Sequence, residues 1–257
     1  MCLQRKYNLW LFIGVLLVCF FVSFGARYQQ FETWKRTPAA YFVGERPLMT
    51  TLDAPYWLRS AREYNKVTFG GEVIQRKNRD KVDHTKTKTS IPAEFQEPSR
   101  YTKGTTEINF RDVPLLSFLI AILSPFFNHN YYLTGTLLVP ALASLFILPL
   151  GIYFFQMGLP LCGMLGGLIG TFAAGYYMRS SIGRIDTDML NLFFPLLTGM
   201  FILLASQAKS ERSVMIYSAG TGLSLFFFQW WYAKAGFALA FFAVFSFCLF
   251  IHKFRLR

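Results

Sequence analysis

At 257 residues, with 53% hydrophobic and 18% aromatic side chains against 16% charged, the chain is too apolar for an ordinary water-soluble domain, and its apolar residues fall in long runs. The net charge is +12, and most of the basic residues lie in one hydrophilic stretch that carries no recognition helix and no RNA-binding signature. No nucleic-acid partner is expected, and anionic lipid headgroups or a diphosphate-bearing substrate fit that charge better.

In chain order, Arg5 and Lys6 precede an apolar run over 9–24. Phe24 is too bulky for a signal-peptide cut site before Gly25, so residues 1–26 are expected to form an uncleaved first span. Residues 27–132 read as a large first external loop with amphipathic or interfacial helices. Within it, Asp53 followed by Pro55 is a helix-start signal, and Trp57, Ala61 and Tyr64 recur at helical spacing. The 72–108 stretch is basic and aperiodic, as a solvated loop would be. The apolar run 113–127 is too short to cross a bilayer and is expected to pack on neighbouring spans or lie in the interface.

The remainder, 133–257, carries runs at 133–155, 158–178, 189–208, 214–231 and 237–252 that are long enough to cross. The expected fold is an α-helical polytopic membrane protein of about six transmembrane helices with a large first external loop. Gly163, Gly167, Gly170 and Ala174 line one face of the 158–178 run and permit close helix contact. Lys209, Arg212, Lys253, Arg255 and Arg257 fall on one side with Arg5 and Lys6, which is the cytoplasm by the positive-inside rule. The 27–112 loop and the 179–188 link then share the opposite side.

That link, Arg179-Ser-Ser-Ile-Gly-Arg184-Ile-Asp186-Thr-Asp188, contains the only acidic residues between Asp112 and Glu211. Carboxylates spaced Asp-x-Asp suit a hard cation such as Mg²⁺ or Mn²⁺, which takes oxygen ligands and adds waters or substrate phosphates. An aspartate opening a helix is also an ordinary N-cap, and Asp53 and Asp186 both stand at helix starts. Their expected co-location on one membrane face favours a shared cation over two unrelated caps. The four cysteines and three histidines (Cys2, Cys19, Cys162, Cys248; His84, His129, His252) are too scattered for a disulfide framework or a zinc site of nearby ligands.

Pro47-Leu-Met-Thr-Thr-Leu-Asp53-Ala-Pro-Tyr-Trp57, Tyr176-Tyr-Met-Arg179-Ser-Ser-Ile-Gly-Arg-Ile-Asp186-Thr-Asp188-Met-Leu190 and Gln229-Trp-Trp-Tyr232 together resemble the catalytic subunit of the oligosaccharyltransferases, most closely the bacterial single-subunit type. The resemblance implies a membrane glycosyltransferase of the C superfamily. Such an enzyme moves an oligosaccharide from a polyprenyl diphosphate to Asn in Asn-x-Ser/Thr sequences of an acceptor protein or peptide. It further implies that Asp53 engages the acceptor amide and, with Asp186, ligates Mg²⁺ or Mn²⁺. Asp188 and Arg179 would brace the ligand loop, and Tyr232, with Trp231 beside it, would contact the lipid-linked donor. An integral, multi-pass location follows, in a bacterial inner membrane with the site facing the periplasm, or otherwise in an archaeal plasma membrane or the endoplasmic reticulum.

The chain departs from the family pattern in lacking a later acidic ligand and the soluble domain with its Trp-Trp-Asp signature. It is therefore expected to be the N-terminal part of a larger enzyme and inactive alone. A protein mannosyltransferase-like relative is the first alternative, disfavoured because Thr51 leaves no acidic pair in the first loop. A scaffold or transporter fragment is the second, disfavoured because the spans offer few mid-membrane polar residues beyond Asn191, Thr198 and Thr221. Snorkelling for Arg179 and Arg184, and an aromatic belt for Trp231 and Tyr232, are the structural readings of those side chains.

Overall fold

The computed structural model describes residues 9–68 and 113–232, with single positions between 236 and 247. The 72–108 loop and nearly all of the 237–252 run lie outside the described residues, as do Arg5, Lys6 and His84.

Ten helices occupy the described residues: α1 (Leu9–Arg36), α2 (Pro38–Tyr41), α3 (Ala54–Thr68), α4 (Leu115–Leu123), α5 (Tyr131–Ser144), α6 (Ile147–Gln156), α7 (Pro160–Phe172), α8 (Ala174–Arg179), α9 (Phe193–Gln207) and α10 (Glu211–Trp231). A two-residue hairpin, β1 (Phe42–Val43) with β2 (Arg46–Pro47), pairs antiparallel between α2 and α3. Among the described residues, three helical stretches are long and apolar enough to cross a membrane: Leu9–Arg36, Tyr131–Gln156 and Thr187–Gln207. The protein is an α-helical membrane protein.

The expected 133–155 span is thus present as α5 and α6, separated by a turn at Leu145–Phe146. The 158–178 run differs from its expected single span: Ala173, at ψ 119°, breaks it into α7 and α8. The break is sustained by Arg27, fully buried on α1, whose Nη2 donates to the freed Thr171 carbonyl at 3.4 Å. The same guanidinium donates to the Ser180 carbonyl and hydroxyl and to the Ser23 carbonyl and hydroxyl. It lies over the rings of Tyr176 and Tyr177 as well. A buried cation costs free energy unless its donors are met, and here they tie α1 to both ends of the broken helix.

The glycine face of α7 serves helix packing. A side chain at Gly163 would meet Gly151 and Phe154 on α6, and one at Gly167 would meet Ile147. One apolar core gathers α3, α4, α5, the start of α9 and the end of α10, around Leu58, Leu116, Ile120, Ile185, Met189 and Trp231. A second joins α1 to α6 and α7 through Phe12, Leu16, Phe146, Ile147 and Met164. The short apolar run 113–127 packs as α4 and a 3₁₀ turn, Ser124–Phe127, with Leu116, Ile120 and Ala121 fully buried.

Candidate functional site

The first loop and the 179–188 link meet edge to edge. The Thr50 amide donates to the Gly183 carbonyl at 3.0 Å, three residues before Asp53 and three before Asp186. Gly183 has φ +78°, and a Cβ there would run into the Trp34 ring and the Leu48 carbonyl. Only glycine combines that left-handed turn with so close an approach. From α1, Gln30 accepts the Ile182 amide at 3.0 Å and donates to the Tyr177 hydroxyl at 2.8 Å, fixing the link from its other side.

Asp53 opens α3 through its backbone, its carbonyl accepting from the Tyr56 and Trp57 amides at 3.0 and 3.3 Å. Its side chain is exposed, and its carboxylate takes no hydrogen bond among the described residues. Asp186 caps a 3₁₀ turn, Thr187–Leu190, rather than a long helix, with Oδ1 accepting the Thr187 amide at 2.6 Å. The other oxygen is uncommitted among the described residues. Burial pushes the Asp186 carboxyl above the usual aspartate range, and the charges of Asp188 and Asp53 push it further. The Thr187 amide and Arg184 act in the opposite direction. The charge of Asp53, 133 positions away in sequence, thus reaches the Asp186 carboxyl.

Asp188 is engaged on both oxygens: Arg179 Nη1 lies 3.5 Å from Oδ2, and Asn191 Nδ2 donates to Oδ1 at 3.4 Å. It is suited to holding the loop rather than to offering oxygens. The exposed Arg179 partner makes a modest contribution in water. Among the described residues Arg184 Nε and Asn191 Oδ1 are buried without a partner, so the loop retains polar capacity around the aspartates.

Trp231 is buried to 2% exposure, and its indole N–H donates to the Thr187 carbonyl at 2.7 Å. It stands behind the Asp186 turn, with its N–H committed to the Thr187 carbonyl. Tyr232 is half-buried where α10 ends, in extended backbone, with its amide donating to the Phe228 carbonyl at 2.8 Å. Tyr176 adds a further brace, its hydroxyl donating to the Met189 carbonyl at 3.0 Å. Arg27, Gln30, Thr50 and Gly183 were not legible as site supports from residue types alone. The one local signal was a glycine in a short polar turn.

A divalent cation would find uncommitted carboxylate oxygens on Asp53 and Asp186, and it would offset the charge that Asp53 and Asp188 place on the Asp186 carboxyl. Among the described residues no three His, Cys, Asp or Glu side chains gather to hold a metal.

The "Oligosaccharyl transferase STT3, N-terminal" family matches residues 96–256, a range that holds Arg179, Asp186, Asp188 and Tyr232 but not Asp53. The chain is also similar to two proteins named undecaprenyl-diphosphooligosaccharide–protein glycotransferase, from Campylobacter jejuni strain RM1221 and from C. jejuni subsp. jejuni serotype O:2. Each is 24% identical over 180 residues, covering 70% of this chain and 23% of the relative. The chain therefore spans about a quarter of the length of the curated relatives it matches. With more than half of its residues under the family match, this chain belongs to the oligosaccharyl transferase STT3 family, in its N-terminal part.

Proposed function

We propose that this chain forms the membrane-embedded metal and donor half of an oligosaccharyltransferase site, in which an oligosaccharide passes from a lipid diphosphate to the side-chain amide of Asn in Asn-x-Ser/Thr. The observation that supports the reading is the meeting of the two loops that carry Asp53 and Asp186. The Thr50–Gly183 hydrogen bond joins them, and the charge of Asp53 reaches the Asp186 carboxyl. In this reading 27–112 and 179–188 lie on the non-cytoplasmic side.

Asp53 and Asp186 would hold Mg²⁺ or Mn²⁺, which would supply neutralisation of the charge that develops on the diphosphate leaving group. Asp53, exposed at the start of α3, also faces the acceptor amide, a poor nucleophile that needs a carboxylate set against it. Arg179 and Asp188 keep the ligand loop in register, because a partner on a neighbouring side chain orients the residue that binds the metal. Trp231 fixes the Thr187 carbonyl from behind, and Tyr232 contacts the lipid-linked donor.

The test is binding of a polyprenyl-diphosphate oligosaccharide to the purified chain with Mn²⁺, read by native mass spectrometry. Asp186→Ala and Tyr232→Ala should each lower donor binding about tenfold or more, the scale of losing one charge-assisted contact. Arg184→Ala should be milder. A chain that binds no donor, or binds it equally well without Asp186, would overturn this reading.

A further inference from the structure

A second polar feature lies about two and a half helical turns along α3 from Asp53, roughly 13 Å at 1.5 Å per residue. It is a cleft of about 500 Å³ between the hairpin turn (Val43, Gly44, Glu45, Arg46), Arg62 of α3 and the start of α5 (His129, Asn130, Tyr131, Tyr132). We propose that this cleft binds the phosphate headgroup of an anionic membrane lipid.

The first support is the donor set. Arg46 sits over the Tyr132 ring at 5.2 Å and Arg62 over the Tyr131 ring at 5.9 Å. A guanidinium held by its face keeps its N–H edge for an anion, and that edge matches phosphate oxygens. Neither arginine meets a carboxylate among the described residues, unlike Arg59, which pairs with Glu63, and Arg179, which pairs with Asp188. The single acid in the wall is Glu45.

The second support is that the walls are built and held. Asn128 and His129 both adopt positive φ, 52° and 56°, an unfavourable conformation for residues other than glycine. They are kept there by the His129 amide donating to Ser124 O at 2.9 Å and the Asn130 amide to Phe127 O at 2.9 Å. The Asn130 side chain then reaches across to the Glu45 carbonyl at 3.3 Å, joining the two walls.

The third support is depth, which selects a lipid over a soluble anion. The cleft opens at Tyr131, the first residue of the membrane-crossing stretch Tyr131–Gln156. Tyrosines and arginines at the end of a span lie at headgroup level, where lipid phosphate is the abundant anion.

The experiment uses the full chain in neutral detergent and dioctanoyl phosphatidylglycerol as the probe, with bound lipid counted by native mass spectrometry. Phosphatidylglycerol should bind about tenfold tighter than dioctanoyl phosphatidylcholine. The R46Q/R62Q double variant should lose roughly tenfold or more in affinity, from the worth of a basic residue at a lipid surface. K209Q/R212Q, which removes the same charge between α9 and α10, should change nothing. E45Q, which takes the acid from the wall, should bind phosphatidylglycerol more tightly, a gain that a misfolded protein does not produce. Unchanged affinity in R46Q/R62Q, no gain in E45Q, or inorganic phosphate competing as well as the lipid would each overturn the assignment.

Discussion

Thr50 and Gly183, 133 positions apart, are joined by a single amide-to-carbonyl hydrogen bond of 3.0 Å that sets the first loop against the aspartate-bearing link. The contact is possible because nothing projects from Gly183: a Cβ would lie 2.8 Å from the Leu48 carbonyl and closer still to the Trp34 ring. Gly183→Ala is therefore expected to part the loops. The left-handed turn alone costs about 1–2 kcal/mol for a residue with a Cβ. Thermal unfolding in detergent should show that loss, and Mn²⁺ should no longer raise the melting temperature. A variant that unfolds like the parent and still responds to Mn²⁺ would show that the junction does not organise the site.

Trp231→Phe keeps an aromatic ring in the core but removes the indole N–H that the Thr187 carbonyl accepts at 2.7 Å. The carbonyl is left without that partner in a buried place, which costs about 1–3 kcal/mol. Donor affinity should fall together with stability, because the Asp186 turn loosens. Tyr232→Phe should lower donor affinity with a smaller change in stability. Parallel melting curves and donor titrations separate a residue that positions from one that touches.

Arg27→Met is expected to be among the most damaging substitutions outside the aspartates. Arg27 donates to three separate segments, at Ser23, Thr171 and Ser180, and is fully buried. A methionine fills much of the volume but takes the guanidinium donors from the Thr171 and Ser180 carbonyls, at about 1–3 kcal/mol for each one that water cannot reach. Arg27→Lys should recover only part, since one ammonium does not reproduce the planar fork. Limited proteolysis of the α7–α8 junction around Ala173 is the direct readout, with cleavage appearing in the Met variant first.

The sequence made some of this readable for definite physical reasons. Counting spans and basic residues leads to the expectation that Asp53 and Asp186 share one membrane face, and the Thr50–Gly183 hydrogen bond brings the loops that carry them together. The apolar run 113–127 is recognisable as a packing segment from its length. The break at Ala173 is not readable, since residues on both sides are apolar and the cost of breaking the helix is met by Arg27, far away in the chain. Trp231 illustrates the same limit. Its place at a span end suggests a surface aromatic, and only the fold reveals that its N–H turns inward to Thr187. The Arg46–Arg62 cleft depends on a hairpin, a helix and two positive-φ residues brought together, and no local pattern marks it.

The pH response of the site follows from Asp186. Its carboxyl is raised above the ordinary aspartate range, first by burial and then by the charges of Asp188 and Asp53. Below the ordinary range it is protonated in both folded and unfolded chains, and the favourable contribution of the neutral group is fully present. As pH rises through the raised folded value, the folded chain must ionise a carboxyl in a place that resists it, and that contribution is lost. Asp186 is only half-buried, so the metal-free effect is small. A divalent cation reverses the balance, because it binds the ionised form and removes the repulsion between Asp53 and Asp186. With Mn²⁺ well above its dissociation constant, stability at neutral pH should rise by about 1–3 kcal/mol. The gain should shrink steadily as pH falls through the raised value of Asp186. Asp186→Asn removes the charge that burial and its neighbours oppose, so in chelator it should be as stable as the parent or slightly more so. It should also lose the Mn²⁺ gain at every pH. An Asp186→Asn protein that keeps the full Mn²⁺ gain at neutral pH would show that this carboxylate has no part in holding a cation.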